Sequence, residues 1–355
     1  MQRRLKFVIL LVFAGSYFQA RAQQEKSYKI VSIAFYNVEN LFDTENDPFT
    51  FDDDRTPEGK DAWTEEKYRE KLQNLAKVIS EIGIESAQVS PAIIGLAEVE
   101  NYRVLEDLVN QPALKNKNYG IIHYDSPDSR GIDVAMLYQK SVFAPTSHHA
   151  RKLSLSEPGS PKPEKTRDQL VVSGKLDGEN FSFIINHWPS RSGGEKASEY
   201  KRIRAAELNR KIIDSIFQNE PYMKIVNMGD FNDDPHNRSI KTYLKTGSVK
   251  KDLKLQELFN PMEKMQKEGS GTLAYRDGWN LFDQIMLSGT ASQNEYDSYQ
   301  YYKAGIFNKS YLITPKGQFR GYPLRTYGYS GYQGGYSDHF PVYIYLIKES
   351  ASATN

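Results

Sequence analysis

The sequence of 355 residues predicts an α/β protein in which β-sheets pack against one another and helices lie outside them. Seven short segments show the alternation or the β-branched runs of strands, whereas only two long segments show helical periodicity. The composition, 39% hydrophobic and 26% charged, excludes a disordered chain and a disulfide-stapled scaffold, since there is no cysteine. The predicted strands are 28–35, 92–97, 132–138, 181–185, 224–228, 281–287 and 342–346.

The two predicted helices cover residues 65–82 and 198–217. Thr64 precedes the first helix as a candidate N-cap, and acidic residues occupy the favourable first turn. One face of that helix is apolar and is expected to pack on a sheet. Its members are Tyr68, Leu72, Leu75, Ile79 and Ile82.

The first 22 residues resemble a secretory signal rather than part of the fold. Positive charges precede the short apolar run 7–13, and Ala20-Arg21-Ala22 is a small-residue cleavage pattern. Cleavage near Ala22 would give a secreted or periplasmic protein, and residues 23–355 are expected to form one catalytic domain. The alternative is an N-terminal membrane anchor, for which the apolar run is short.

Net charge limits the class of partner. Loss of the four basic residues in 1–22 would change the formal charge from +1 to −3. A protein that wraps DNA is usually strongly basic, so nucleic acid is expected only as a substrate that is bound transiently and released. No membrane span is predicted after residue 22, and no obligate protein partner is evident.

Polar residues lie close to the ends of the predicted strands. One such residue alone is typical of a turn, but this set is large enough to predict a site built on the edge of a rigid scaffold. Its members are Asn37, Glu98, His187, Asp230, Asn232, Asp338 and His339.

The side chains in this set favour a hard divalent cation. Carboxylate and amide oxygens suit Mg²⁺, Mn²⁺ or Ca²⁺, whereas a zinc site is not expected without cysteine or a helical histidine pair. The adjacent His148 and His149 are expected in an exposed loop. A hard metal beside histidines fits hydrolysis of a phosphoric ester.

Seven short motifs, in order over residues 28–347, resemble the endonuclease/exonuclease/phosphatase superfamily. Each motif alone is weak, but their common order is specific. The resemblance implies a four-layer α/β sandwich of two packed mixed sheets, with a metal-dependent site at one sheet edge. The motifs are FYNVENLF at 35–42, IGLAEV at 94–99, RGIDVA at 130–135, NHWPS at 186–190, GDFN at 229–232, FDQI at 282–285 and SDHFP at 337–341.

The resemblance also implies roles for individual residues. Glu98 matches the principal metal ligand, with Asn37 beside it. His339 matches the catalytic acid or base, and Asp283 the carboxylate that orients its ring. Neighbouring residues of an extended segment point to opposite faces, so Asp338 is expected on the metal side rather than behind His339.

Three further residues match positions that handle the phosphate and water. Asp230 and Asn232 correspond to the pair that positions the attacking water, and their period-2 spacing is expected to direct both side chains the same way. His187 matches the histidine that stabilises charge on a phosphoryl oxygen.

Two arginines are candidate phosphate contacts because a guanidinium binds phosphate bidentately. They are Arg130 and Arg191, and for Arg191 an ordinary exposed arginine is the alternative.

Two loops allow more than one interpretation. Residues 52–54 are three consecutive aspartates, which suggests a solvated acidic loop more than a calcium loop, because the spaced ligands are missing. Residues 321–336 hold five tyrosines among glycines, which fits either an aromatic wall for a ligand or a self-packed surface loop.

The function predicted from these observations is divalent-metal-dependent hydrolysis of phosphodiester bonds, with a nuclease favoured. A phospholipid or inositol-phosphate hydrolase is the alternative, and a non-catalytic binding protein on the same scaffold is a further one. The substrate is left open because the loops, where substrate choice resides, match no particular member.

Overall fold

The computed structural model describes residues 26–156, 159 and 162–350. In this part of the chain the strands are β1 Tyr28–Leu41, β2 Ile93–Val99, β3 Tyr119–His123, β4 Asp133–Gln139, β5 Phe143–Arg151, β6 Leu155–Ser156, β7 Pro163–Glu164, β8 Gln169–Leu176, β9 Glu179–His187, β10 Lys224–Asp230, β11 Thr246–Gly247, β12 Leu258–Phe259, β13 Leu273–Tyr275, β14 Gly278–Asn280, β15 Asp283–Ser288, β16 Gln300–Ile306, β17 Tyr327–Gly328, β18 Gly331–Tyr332 and β19 Val342–Glu349.

The α-helices are α1 Glu65–Glu81, α2 Ile84–Ala87, α3 Tyr102–Val109, α4 Glu195–Asn219 and α5 Met262–Lys267. Short 3₁₀ turns lie at Asp53–Arg55, Lys115–Lys117, Lys250–Asp252, Gly289–Ala291 and Ser310–Leu312, and a π-helical turn lies at Ser239–Tyr243.

Two large sheets form the centre of the molecule. The sheet of six has the order β16-β19-β1-β2-β4-β3, and the sheet of seven has the order β11-β12-β15-β10-β9-β8-β5. Both are mixed: β1 pairs parallel with β2 and antiparallel with β19, while β10 pairs parallel with β9 and antiparallel with β15.

The sheets pack face to face because each strand directs alternate side chains to opposite sides. In β1, Ile33 and Phe35 lie in the core between the sheets, whereas Ala34 and Tyr36 face the outer layer. In β10, Val226 enters the same central core. The helices cover the outer faces, α1 and α3 on the sheet of six and α4 on the sheet of seven. This is the predicted four-layer α/β sandwich.

All seven predicted strands and both predicted helices are present. The first helix ends one residue earlier than predicted, and the Thr64 hydroxyl accepts a hydrogen bond from the Lys67 amide at 3.5 Å, as expected of an N-cap. The second helix extends further at both ends than predicted.

Two strands at sheet edges, β5 and β16, were not predicted from the sequence. Both stand at the outer edge of a sheet, and most of their side chains are exposed or half-buried, so they lack the apolar pattern of inner strands. His148 and His149 are exposed as predicted, but on β5 rather than in a loop.

The aspartates at 52–54 do not share one environment. Asp53 and Asp54 are exposed, as a solvated loop requires, but Asp52 is buried and accepts a hydrogen bond from the Asp47 amide at 2.9 Å. The prediction is therefore wrong for Asp52, which holds the loop together.

The predicted signal, residues 1–22, lies outside the described residues. Among the described residues, no helix combines the length and the apolar character needed to cross a bilayer.

Candidate active site

Three neighbouring strands of the sheet of seven place His187, Asp230 and Asp283 side by side. Asp230 is the register partner of His187 on β9 and of Asp283 on β15. Each of the three side chains stands at the end of the row of side chains that its strand directs inward. The other members of these rows, such as Met228 and Ile285, are apolar and fill the core between the sheets. The polar row therefore closes that core at one edge of the sandwich.

The sheet of six brings Asn37 and Glu98 to the same edge. Asn37 continues the inward series of Ile33 and Phe35, and its amide nitrogen donates to Asp230 Oδ2 at 3.1 Å. Glu98 is displaced from the regular alternation by a bulge between Ala97 and Val99, and its φ is 65°. This left-handed backbone turns its carboxylate toward the site, where Oε1 lies 3.8 Å from His187 Nε2.

His339 pairs with the carboxylate that the sequence indicated. Its Nδ1 lies 2.7 Å from Asp283 Oδ2, while Nε2 faces Asp230 Oδ2 at 4.0 Å. Burial opposes protonation of the ring, but the carboxylates of Asp283, Asp338 and Asp230 outweigh it and raise the pKa of His339 well above its usual value. The raised pKa favours the imidazolium form of His339, in which Nε2 can donate.

The pKa values of Asp230 and His187 are shifted in opposite directions. Burial raises the pKa of the Asp230 carboxyl to about 6, although the charge of His339 partly offsets this effect. Burial, followed by the positive charges of Arg167 and Arg130, lowers the pKa of His187 well below its ordinary value. Near neutral pH the site therefore contains a carboxylate of raised basicity, a neutral histidine and a charged histidine.

The donor set fits a divalent cation. Glu98 Oε2 accepts the Asn40 amide at 3.0 Å, but Oε1 has only ion-pair contacts of 3.8 and 3.9 Å, which leaves it free to coordinate. One ligand atom each from Asp230, Asp283 and His339 also lies within 4.8 Å of the others. Because His339 and Asp283 already share a hydrogen bond, Glu98 is the better first ligand.

Asn232 lies at the site for a different reason from the predicted one. Strand β10 ends at Asp230, and Asn232 has a φ of 50°, so the period-2 argument does not apply. Its backbone amide donates to Asp230 Oδ1 at 2.9 Å, and its side-chain nitrogen donates to the Trp188 carbonyl at 2.9 Å. The side-chain oxygen is left to accept from water or substrate.

Asp338 is not the partner of the His339 ring nitrogen Nδ1, in agreement with the prediction. Its Oδ1 lies 3.9 Å from His339 Nε2, and its Oδ2 accepts from Arg325 at 2.8 Å. The predicted metal-side role therefore remains a proposal for a carboxylate that is already paired with an arginine.

The two candidate arginines differ in how many protein acceptors their guanidinium groups contact. Arg130 is half-exposed, and among the described residues its guanidinium makes only long ion pairs, 3.9 Å to Glu98 and 3.8 Å to Asp128. Arg191 does not support the predicted phosphate contact, because its guanidinium donors are taken up by protein acceptors. These acceptors are the carbonyl of Asn232 and the side chains of Asp233, Asp234, Glu195 and Asn237.

The sequence analysis missed residues that support the site from behind. Buried Arg167 donates to the carbonyls of His187 and Trp188 and to Asp128 at 3.1 Å, which fixes the end of β9. Buried Lys71 and half-exposed Arg325 were also missed. No local motif marks them, because Thr326, which accepts from Lys71, and Glu39, which accepts from Arg325, lie more than 250 residues away in the chain.

The family model described as Endonuclease/Exonuclease/phosphatase family matches residues 32–348, most of the chain. The chain belongs to this family. It is therefore a metal-dependent phosphoric ester hydrolase of the endonuclease/exonuclease/phosphatase type, and its Asp/His groups could hold a metal. Comparison with curated proteins yields no match.

Several solved structures share the fold. A family protein from Bacteroides thetaiotaomicron is 19% identical with a TM-score of 0.53, covering 91% of this chain and 97% of that one. A mannosyl-6-phosphatase from the same organism has the same identity and score, with coverages of 89% and 99%. D. rerio TDP2 complexed with single-strand DNA product is 13% identical with a TM-score of 0.51, with coverages of 89% and 98%. At these identities the similarity concerns the fold alone.

Proposed function

We propose that this protein is a nuclease that hydrolyses phosphodiester bonds by attack of a water molecule, assisted by Mg²⁺ or by Mn²⁺ or Ca²⁺. The observation that carries the proposal is the row of His187, Asp230 and Asp283 with His339 bound to Asp283 at 2.7 Å. This arrangement provides a base, an acid and a neutral hydrogen-bond donor around one small space.

Different residues would act as general base, general acid and hydrogen-bond donor. Asp230, with a pKa of about 6, is ionised near neutral pH and basic enough to accept a proton from water. His339, held as the imidazolium by Asp283, supplies positive charge and a proton through Nε2. His187 Nε2 lies 3.7 Å from Asp230 and 3.8 Å from Glu98, where it can donate to a phosphoryl oxygen.

Glu98 would hold the metal, with Asn37 and Asp338 beside it. When bound, a divalent cation neutralises phosphate charge and polarises the ester. Glu98 is oriented by the Asn40 amide, and Arg130 at 3.9 Å can bind a phosphate oxygen next to it.

Nucleic acid is the proposed substrate, bound transiently. Support comes from the half-exposed Arg130 at the rim and from the DNA product bound to the structurally similar TDP2. A phospholipid or inositol-phosphate hydrolase is the alternative outcome of the same test.

The test is an activity panel of duplex DNA, single-stranded DNA, RNA, bis(p-nitrophenyl) phosphate, sphingomyelin and an inositol phosphate, each with Mg²⁺, Mn²⁺, Ca²⁺ or EDTA. We expect metal-dependent cleavage of nucleic acid at rates well above those for the lipid and the inositol phosphate. Cleavage of the lipid or the inositol phosphate alone would contradict the nuclease proposal while retaining the reaction class.

We also propose that residues 1–22 are removed and that the remaining single domain is secreted or periplasmic. The support is the charged start, apolar run and Ala20-Arg21-Ala22 pattern. Mass spectrometry of the native protein should find Gln23 at the N-terminus. Intact Met1 in a membrane fraction would contradict the proposal.

A further inference from the structure

The tyrosine-rich segment 321–336 is docked on helix α1 beside the active site. The Tyr332 hydroxyl donates to Glu70 at 2.8 Å, and the Asn74 amide nitrogen donates to the Gly334 carbonyl at 3.1 Å. The Tyr327 ring packs near Trp63, with 6.1 Å between ring centroids. The self-packed interpretation of this segment is therefore correct for these side chains, and an aromatic wall is not formed by them.

A buried lysine fixes the segment at two points. Lys71 of α1 donates to the Thr326 hydroxyl at 2.6 Å and to the Tyr336 carbonyl at 2.7 Å. Its Nζ also lies 4.0 Å from Glu39 Oε2, so its charge is balanced in the interior. The ends of the stretch 326–336 are thus held by one side chain.

Glu39 and Asp338 hold the guanidinium of Arg325 in one orientation. Glu39 accepts from the Thr326 amide at 2.6 Å and from Arg325 Nε at 3.2 Å. Arg325 Nη2 donates to Asp338 at 2.8 Å. The remaining nitrogen, Nη1, has no partner in the described part of the chain, and half of the side chain is exposed.

Arg325 and Arg130 lie beside different carboxylates of the site, Asp338 and Glu98 respectively. Asp338 stands between it and His339 Nε2, which is 3.9 Å from Asp338 Oδ1. The guanidinium is therefore one side chain further from the reacting centre than the catalytic histidine. At that position it can reach a phosphate next to the one being hydrolysed, whereas the hydrolysed phosphate is served by Glu98, His187 and His339.

We propose that Arg325 is a substrate-binding residue that holds a neighbouring phosphate of the substrate strand. The preferred substrate then carries at least two phosphates, as a single-stranded nucleic acid does. The proposal rests on the proposed nuclease function. A fixed guanidinium with free donors binds a phosphate oxygen without losing much side-chain freedom.

The test compares R325Q with R238Q, a matched control at an exposed arginine that pairs with Glu199 at 3.4 Å. For a labelled single-stranded oligonucleotide in EDTA, fluorescence anisotropy should show affinity reduced about tenfold or more by R325Q. The salt dependence should fall by the contribution of about one phosphate. R238Q should bind as the wild type does. R325K should recover part of the affinity, since it restores charge without the planar fork.

Kinetics separate substrate binding from a merely structural role. With Mg²⁺, R325Q should raise KM for the oligonucleotide about tenfold or more. Its loss of kcat/KM for bis(p-nitrophenyl) phosphate, which has one phosphate, should be several-fold smaller than its loss for the oligonucleotide. Equal losses on both substrates, or unchanged oligonucleotide affinity in EDTA, would overturn the proposal. A wild type that binds the oligonucleotide through Arg325 but cleaves nothing would instead refute the nuclease function.

Discussion

His339 is the residue on which the proposed chemistry depends most directly. Removal of a general catalyst costs a factor of roughly 10²–10⁴ in rate. His339→Ala should therefore lose at least about a hundredfold in kcat. Asp283→Asn should lose less, because the ring remains but its proton and orientation are no longer fixed. The measurement is steady-state kinetics at saturating metal.

The exposed His236 provides the matched control for this substitution. His236→Ala should retain the wild-type rate. If the kcat of His339→Ala were within about threefold of the wild-type value, His339 would not be the general acid or base.

Asp230 should make stability depend on pH. Its native pKa, about 6, exceeds the ordinary 3.8, so its stabilising contribution is complete below pH 3.8 and is lost as pH rises through 6. Asp230→Asn removes the cost of the buried carboxylate at high pH. From pH 4 to pH 8 the free energy of unfolding of the variant, relative to the wild type, should rise by on the order of 2–3 kcal/mol.

Urea unfolding of the metal-free protein at both pH values measures this difference. Asp54→Asn, at an exposed position, controls for the loss of a carboxylate. A difference between Asp230→Asn and the wild type that stayed constant with pH would mean that Asp230 is not buried as an ionised group.

At the scale of the element, Lys71 joins α1 to the tyrosine-rich segment and to β1. Lys71→Met would leave Glu39 in the interior with one positive partner fewer, and it would remove the donor to Thr326 and Tyr336. Breaking a buried pair in this way costs about 3–5 kcal/mol. Chemical unfolding should show a loss of that order.

Gln73→Met is the control, since Gln73 lies on the exposed face of the same helix. It should change the free energy of unfolding by less than about 0.5 kcal/mol. If the two variants were equally stable, Lys71 would not hold the segment in place.

At the scale of the whole molecule, activity and folding should respond separately to the metal. The central core and the two outer layers are apolar and do not involve Glu98. Glu98→Ala should therefore lose most activity and metal affinity while its melting temperature remains close to that of the metal-free wild type. Isothermal titration with Mn²⁺ and thermal unfolding in EDTA provide the two measurements.

Glu195→Ala, a carboxylate at the exposed start of α4, is the control. It should bind metal normally. Full activity of the wild type in excess EDTA, with no metal found by elemental analysis, would exclude a metal-dependent mechanism.

The amino-acid sequence by itself determined the architecture of this protein and the position of its site. Inner strands such as β1 and β10 carry largely apolar runs because both of their faces are buried, and the polar residues that end those runs mark the site edge. The family resemblance implied the pairing of His339 with Asp283, and the opposite directions of neighbouring side chains argued against Asp338 in that role.

Tertiary structure alone decided the rest. The bulge at Glu98 overrides strand alternation, and protein acceptors occupy the Arg191 donors on which its predicted phosphate contact depends. Arg325 reaches the site only because Lys71 and Glu39, remote in sequence, hold its segment there. The physical reason is common to all three. The local sequence pattern determines which face of a strand or helix a side chain occupies. The hydrogen-bond and ion-pair partners of that side chain are residues remote in sequence that the fold brings close to it.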